Sequence, residues 1–68
     1  MEYTNSQIKE LIMEHIHSLR DRKILYRRLV DGMTFENLSV EFQMSVRQIK
    51  NIVYKAEEVL FAHLPRPG

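Results

Sequence analysis

The sequence predicts an all-α fold, a small domain of four helices, and three observations support that prediction. Apolar residues recur at intervals of three and four along four segments, which is the spacing of one face of an amphipathic helix. Each segment begins beside a residue type that caps helix N-termini. The 68 residues include only two Gly and two Pro. Hydrophobic residues make up 44% and charged residues 28% of the chain, a composition typical of a compact helical domain.

The first helix is predicted over residues 5–16. Thr4 followed by Gln7 matches a capping box, in which each of the two side chains bonds a backbone N–H of the other residue, and Asn5 and Ser6 are alternative caps. The predicted buried face consists of Ile8, Leu11, Ile12 and Ile16. His15 and His17 point to nearly opposite sides of such a helix, so we expect neither to hold a metal ion.

The second helix is predicted over residues 19–31, with Ser18 as its N-cap and Asp21 in its first turn. Its predicted core residues are Ile24, Leu25, Leu29 and Val30, and basic side chains cover the remaining surface. Gly32 follows where a helix commonly ends in a left-handed residue. Met13, Met33 and Met44 are interpreted as residues that fill gaps in a small core.

The third and fourth helices, predicted over residues 35–42 and 45–62, have the spacing of a helix-turn-helix. Thr34 caps the third helix, and Ser45 with Gln48 forms a capping box at the fourth. The apolar positions of the pair are Leu38, Phe42, Met44, Val46, Ile49 and Ile52, continued along the fourth helix by Val53, Ala56 and Leu60. Gln43 stands where the turn needs positive φ, at a cost of about 1 kcal/mol relative to Gly. Pro65 ends the last helix, and residues 65–68 are expected to be frayed.

Basic residues are grouped although the net charge is only +1. Residues 20–32 hold five basic against two acidic side chains, and residues 43–68 hold four against two. If both segments share a surface, they would attract the phosphates of a nucleic acid. The alternative is an ordinary solvated helix surface.

The polar face of the fourth helix predicts the chemistry of DNA reading. Arg47 can donate two hydrogen bonds to a guanine edge, and Gln48 or Asn51 can bond an adenine. Lys50 and Lys55 would neutralise phosphates, helped by Arg27 or Arg28. Tyr54 has two interpretations, a bond to a phosphate or packing beside Phe61. The candidate DNA-binding residues are Ser45, Arg47, Gln48, Lys50, Asn51, Tyr54, Lys55, Arg27 and Arg28.

The run from Arg22 to Ala56 resembles region 4 of bacterial sigma factors and, more loosely, the helix-turn-helix of LuxR-type regulators. The matching segments are DRKIL, the junction from Gly32 to Glu36, Met44 to Val46, and the pairs Ile49–Lys50 and Lys55–Ala56. The resemblance implies a three-helix helix-turn-helix core behind an N-terminal support helix, with the last helix in the DNA major groove. Ser45, Arg47, Gln48, Lys50 and Asn51 would then face the groove and Lys55 would lie near a phosphate. Two residues depart from the family pattern, Gln43 for the usual Gly and Ser39 for the usual Ala.

Two functions remain open. The first is a sequence-specific transcription regulator of bacterial or phage type that binds double-stranded DNA, as a whole protein, a sigma-like accessory subunit or a domain of a longer one. The second is a protein-interaction module that binds RNA polymerase, a sigma factor or a phage or host protein without reading DNA. Residues 1–68 are expected to form one domain with a thin core. A homodimer through the first helix and the C-terminal half of the fourth helix would enlarge that core.

Neither catalysis nor a cofactor is expected. The sequence has no paired carboxylates in an apolar setting and no Gly-rich phosphate loop. The sequence has no Cys, its polar start MEYTNSQ lacks the features of a signal peptide, and no apolar run is long enough to span a membrane. These features favour a cytoplasmic protein without membrane contact.

Overall fold

Four helices make up the computed structural model, which describes residues 4–63. They are α1 Asn5–His15, α2 Leu19–Leu29, α3 Phe35–Phe42 and α4 Val46–Ala62. The predicted all-α, four-helix fold is confirmed, and the predicted frayed tail lies outside the described residues. Across residues 4–63, no helix combines the length and apolar character needed to cross a membrane.

Two helices end earlier than predicted. α1 stops at His15 because Ile16 has extended backbone angles, φ −107° and ψ 114°. α2 was expected to reach residue 31 but ends at Leu29. The chain then closes through a bond from the N–H of Met33 to the carbonyl of Arg27 at 3.1 Å, with Gly32 between them at φ 70°. Gly32 therefore has the left-handed conformation predicted for it.

All four helices begin at a hydroxyl N-cap, as predicted. The caps are Thr4, Ser18, Thr34 and Ser45. At α4, the backbone N–H of Gln48 donates to Ser45 Oγ at 3.1 Å, and Gln48 Oε1 accepts from the N–H of Ser45 at 3.0 Å. Thr4 and Gln7 form the same reciprocal box at α1. These local bonds set the starting point of each helix.

The turn between α3 and α4 contains the positive φ that the sequence predicts. Gln43 lies in the left-handed region at φ 53° and ψ 47°. Its N–H still bonds the carbonyls of Ser39 and Val40, and the N–H of Met44 closes the turn onto Ser39 at 3.0 Å. The backbone bonds of this helix end are therefore satisfied without a glycine.

The core is assembled around α4, which packs against each of the other three helices. Its buried residues are Ile49, Val53, Ala56 and Leu60. Facing them are Ile12 and Ile16 from the first helix and its end, Ile24 and Leu25 from α2, and Leu38 from α3. Ile52, expected on the inner face, is only partly buried. α1 and α3 do not pack on each other, so a groove is left between them.

Met13 does not fill a gap in the core, contrary to the prediction. Its side chain is 57% exposed, whereas Ile12 beside it is 2% exposed. Adjacent residues on a helix point about 100° apart, and the face of α1 that meets α2 and α4 is the one centred on Ile12. Met33 and Met44 do pack against the core, as predicted.

The guanidinium of Arg22 and a pair of stacked histidine rings attach the C-terminal end of α1 to the other helices, and the sequence does not reveal either contact. The guanidinium of Arg22 on α2 donates to the carbonyls of Ile16 and Met13, the latter at 2.9 Å. These carbonyls lie at the C-terminal end of α1, where a cation also suits the helix dipole. At the far end of α4, the rings of His15 and His63 stack with centroids 3.9 Å apart.

Candidate nucleic-acid interface

The N-terminal half of α4 exposes a face of hydrogen-bond donors. Between Ser45 and Ala56 the sequence contains no acidic residue. Because Ile49, Val53 and Ala56 turn toward the core, the polar residues between them are left on the outer side. The exposed residues of this face are Arg47, Gln48, Lys50, Asn51, Tyr54 and Lys55. The structure therefore brings the predicted α4 candidates onto one surface, with Ser45 exposed at its N-terminal edge.

The electrostatic character of this face is positive. None of Arg47, Lys50 and Lys55 forms an ion pair with another side chain of residues 4–63. The first turn of α4 also carries no acidic residue, so the positive end of the helix dipole is not neutralised there. The positive character ends one turn past Tyr54, where Glu57 and Glu58 follow.

The capping box limits what two of the candidates can do. Gln48 Oε1 already accepts from the backbone N–H of Ser45, so only its amide nitrogen remains free to donate. Bidentate bonding to adenine needs both the oxygen and the nitrogen of the amide. Asn51, one turn further along, makes no side-chain hydrogen bond that the structure records within residues 4–63. Asn51 is therefore better placed than Gln48 to read an adenine.

The ring of Phe35, at the start of α3, contacts side chains of both α2 and the exposed face of α4. The guanidinium carbon of Arg28 lies 4.2 Å from the centroid of its ring, and Lys50 Nζ lies 5.6 Å from the same centroid. The ring of Tyr54 meets it edge-on at 5.9 Å. Arg28 Nη1 also donates to the carbonyl of Met33 at 2.8 Å, which fixes the guanidinium beside the ring. Arg28 therefore shares a surface with Lys50 and Tyr54.

The aromatic partner of Tyr54 is Phe35, which removes one of its two predicted roles. Packing against Phe61 was expected because seven residues make about two turns of helix. Two turns also separate the side chains by about 10 Å along the axis. Phe35, at the start of α3, comes closer because the tight turn after α3 brings that helix against α4.

Arg27 lies apart from the other candidates. Its guanidinium pairs with Asp31 at 3.3 Å and with Glu41 at 3.2 Å. It lines a groove to which α4 contributes no residue. Arg27 and Arg28 point about 100° apart on α2, so only one of them can face Phe35. Their sequence positions alone do not distinguish the two.

The groove between α1, α2 and α3 has a volume of about 690 Å³. Its floor is largely apolar and aromatic, with Ile12, Met13, Tyr26 and Phe42. Its charged lining residues are Lys9, Arg22, Lys23, Arg27 and Glu41. An apolar floor with a mostly basic rim is a second surface able to hold a ligand.

Comparisons of this chain with protein-family models, curated proteins and solved structures give no match. The resemblance to sigma factor region 4 therefore stays a prediction. Within residues 4–63, no three His, Asp or Glu side chains gather where they could hold a metal ion.

Proposed function

We propose that this protein is a sequence-specific DNA-binding transcription regulator, with a helix-turn-helix resembling sigma factor region 4. In this proposal the N-terminal half of α4 lies in the major groove of double-stranded DNA. The observation that carries the proposal is the exposed α4 face, which consists of donors, lacks any acid and stands opposite a fully buried stripe. The major groove admits one α-helix and presents base edges to such donors.

Each exposed residue has a role that follows from its position on the helix. Arg47 and Asn51 lie one turn apart and nearly opposite Ile49 and Val53, so they point farthest from the core. They are assigned to base edges, Arg47 to a guanine and Asn51 to an adenine. Lys50 and Lys55 flank them on either side and are assigned to the phosphates of the two strands.

The acidic residues limit how far α4 enters the groove. Glu58 lies on the same side of the helix as Asn51, two turns further along. A carboxylate facing the phosphate backbone is repelled by it. The part of α4 beyond Ala56 is therefore assigned to packing against α1, where Leu60 is buried, and not to DNA.

The proposal is tested by selecting bound sequences from random duplex DNA and measuring affinity at two salt concentrations. Wild-type protein should enrich one sequence and lose affinity steeply as salt rises. Arg47→Ala should remove about 1–3 kcal/mol of discrimination at one base pair. Arg27→Ala is the matched control, since it removes the same charge from the groove that α4 does not line. If no sequence is enriched, or if both variants behave alike, DNA reading by α4 is wrong.

A second candidate function is supported by the groove between α1, α2 and α3. There the protein would bind RNA polymerase, a sigma factor or a phage or host protein without reading DNA. The 57% exposure of Met13, which lines this basic-rimmed groove, favours this candidate. It predicts that Met13→Glu abolishes binding to the purified partner, measured by calorimetry, while Arg47→Ala leaves it unchanged. The DNA-reading function predicts instead that Arg47→Ala weakens DNA binding and that Met13→Glu leaves DNA affinity unchanged.

A further inference from the structure

Two cations, one from α2 and one from α4, lie around a single aromatic ring of α3. Arg28 and Lys50 come from different helices, and both lie over or beside Phe35 at 4.2 and 5.6 Å from its centroid. Their charged groups can be no farther apart than the sum of those two distances. Neither forms an ion pair with any side chain of residues 4–63. Two positive charges within that limit repel each other, and an anion that contacts both relieves the repulsion.

The ring positions the cations and leaves their donors free. A guanidinium above a ring uses its flat face for the cation–π contact, while its N–H groups point outward in its plane. Arg28 Nη1 donates one N–H to the carbonyl of Met33, so the other N–H groups of the guanidinium remain available. Phe35 is itself packed against the core, so the ring is a fixed platform.

We propose that Arg28 and Lys50, positioned by Phe35, form a binding site for a single phosphate, filled by one backbone phosphodiester of the DNA. Tyr54, 54% exposed and edge-on to Phe35, forms the side of the site nearest the bases. The identity of the phosphate as part of DNA rests on the proposed function. A phosphate held here would fix the angle at which α4 enters the major groove without itself reading sequence. Phe35 acts as a positioning residue, since it touches the two cations and not the phosphate.

The site is tested by comparing Phe35→Leu with Phe42→Leu. Both substitutions replace a partly buried Phe of α3 with an aliphatic side chain, but the ring of Phe42 has no cation over it within residues 4–63. Phe35→Leu should weaken DNA binding about fivefold at low salt relative to Phe42→Leu, because two cation–π contacts are lost. The slope of log affinity against log salt should fall by about 1, the value for one phosphate contact. Phe35→Tyr, which keeps the ring, should restore both quantities.

A double-mutant cycle separates positioning from general destabilisation. If Lys50 acts through Phe35, then Lys50→Ala should cost less affinity in the Phe35→Leu protein than in the wild type. Additive effects would overturn the role of Phe35. Equal affinities and salt slopes for the two Phe variants would overturn the site while leaving DNA binding by the wild type intact.

The proposal can also be separated from DNA reading by titrating inorganic phosphate while recording NMR shifts of the folded protein. Phosphate should move the signals of Arg28, Phe35 and Lys50 in the wild type, and should move them less in Phe35→Leu. This result without any DNA enrichment would overturn the proposed function and support the phosphate site. No difference between the wild type and Phe35→Leu would overturn the phosphate site.

Discussion

At the scale of single residues, Gln43 and Gly32 occupy the same unusual backbone region for the same reason. Gln43 is the C-cap of α3 and Gly32 lies in the turn that follows α2, and both are left-handed, at φ 53° and 70°. A glycine reaches this region freely, whereas a residue with a Cβ is strained there by about 1 kcal/mol or more. A Cβ at Gly32 would meet no atom within 4 Å, so packing does not explain the glycine. The left-handed backbone angles of Gly32 explain why a glycine stands at this position.

We predict that Gln43→Gly stabilises the protein by up to about 1 kcal/mol, because it relieves the strain at the α3–α4 turn. Gly32→Ala should destabilise it by a similar amount. The free energy of unfolding from urea denaturation measures both. Gln43→Ala is the control, since it shortens the side chain but keeps the Cβ. A glycine variant no more stable than the alanine variant would contradict the prediction.

We also predict that Gln48 and Asn51 separate stability from base reading. Gln48→Ala removes the capping bond and should cost about 0.5–1 kcal/mol of stability, with little change in base preference. Asn51→Ala should leave stability within about 0.5 kcal/mol. It should reduce discrimination at one A·T pair by about 1–3 kcal/mol. Thermal unfolding and competition binding with single-base variants of the selected site measure the two effects. If Gln48→Ala and Asn51→Ala lost base discrimination equally, the capping bonds between Ser45 and Gln48 would have to break when the protein binds DNA, contrary to this prediction.

At the scale of helices, α4 performs two tasks with different halves. Its N-terminal half carries the donor face, and its C-terminal half carries the buried Leu60 and is followed by the C-cap His63, whose ring stacks on that of His15 of α1. The buried stripe of Ile49, Val53, Ala56 and Leu60 runs through both halves. It anchors the donor face to the core, so that the exposed side chains start from a rigid helix.

We predict that neighbouring substitutions in the second half of α4 differ sharply in cost. Leu60→Ala should lower the free energy of unfolding by about 2–4 kcal/mol, because Leu60 is 2% exposed and its removal leaves a cavity. Val59→Ala should cost less than about 1 kcal/mol, since Val59 is 41% exposed. Chemical denaturation of both variants measures the difference. Similar losses would contradict the prediction and mean that Val59 is covered in solution.

At the scale of the whole molecule, several large apolar side chains remain uncovered. Val59 and Phe61 are 41% and 55% exposed near the end of α4, and Val40 is 78% exposed on α3. Part of the surface expected to form a dimer is already used within one chain, since Ile12, Ile16 and Leu60 pack together in its core. We propose that Phe61 forms the contact between two copies, which would let two α4 helices read two half-sites. Val59 lies two residues before Phe61 and points to nearly the opposite side of α4, so it takes no part in the same contact.

The dimer predicts a mass that depends on concentration. In sedimentation experiments the wild type should shift from monomer to dimer as concentration rises. Phe61→Asp should remain monomeric, because a buried carboxylate without a partner is costly. Val40→Asp is the control, since it places the same charge on an exposed apolar residue of α3. A wild type that stays monomeric at every concentration would contradict the dimer.

Local chemistry alone determined much of this protein. The four N-caps, the left-handed Gly32 and Gln43, and the extent of α3 follow from side chains that bond or strain their own neighbourhood. Such effects act over three or four residues, so they can be recognised in sequence. The period of the apolar residues likewise predicted which face of α4 is buried and therefore which candidates remain outside.

Tertiary structure decided the rest. Periodicity tells which residues share a helix face, but not how each helix is rotated against its neighbours. That rotation exposed Met13, turned Arg27 toward Glu41, and placed Arg28 over Phe35. The contact of Phe35 with Lys50 and Tyr54 joins residues that are more than a dozen positions apart, and only the packing of α3 against α4 makes them neighbours.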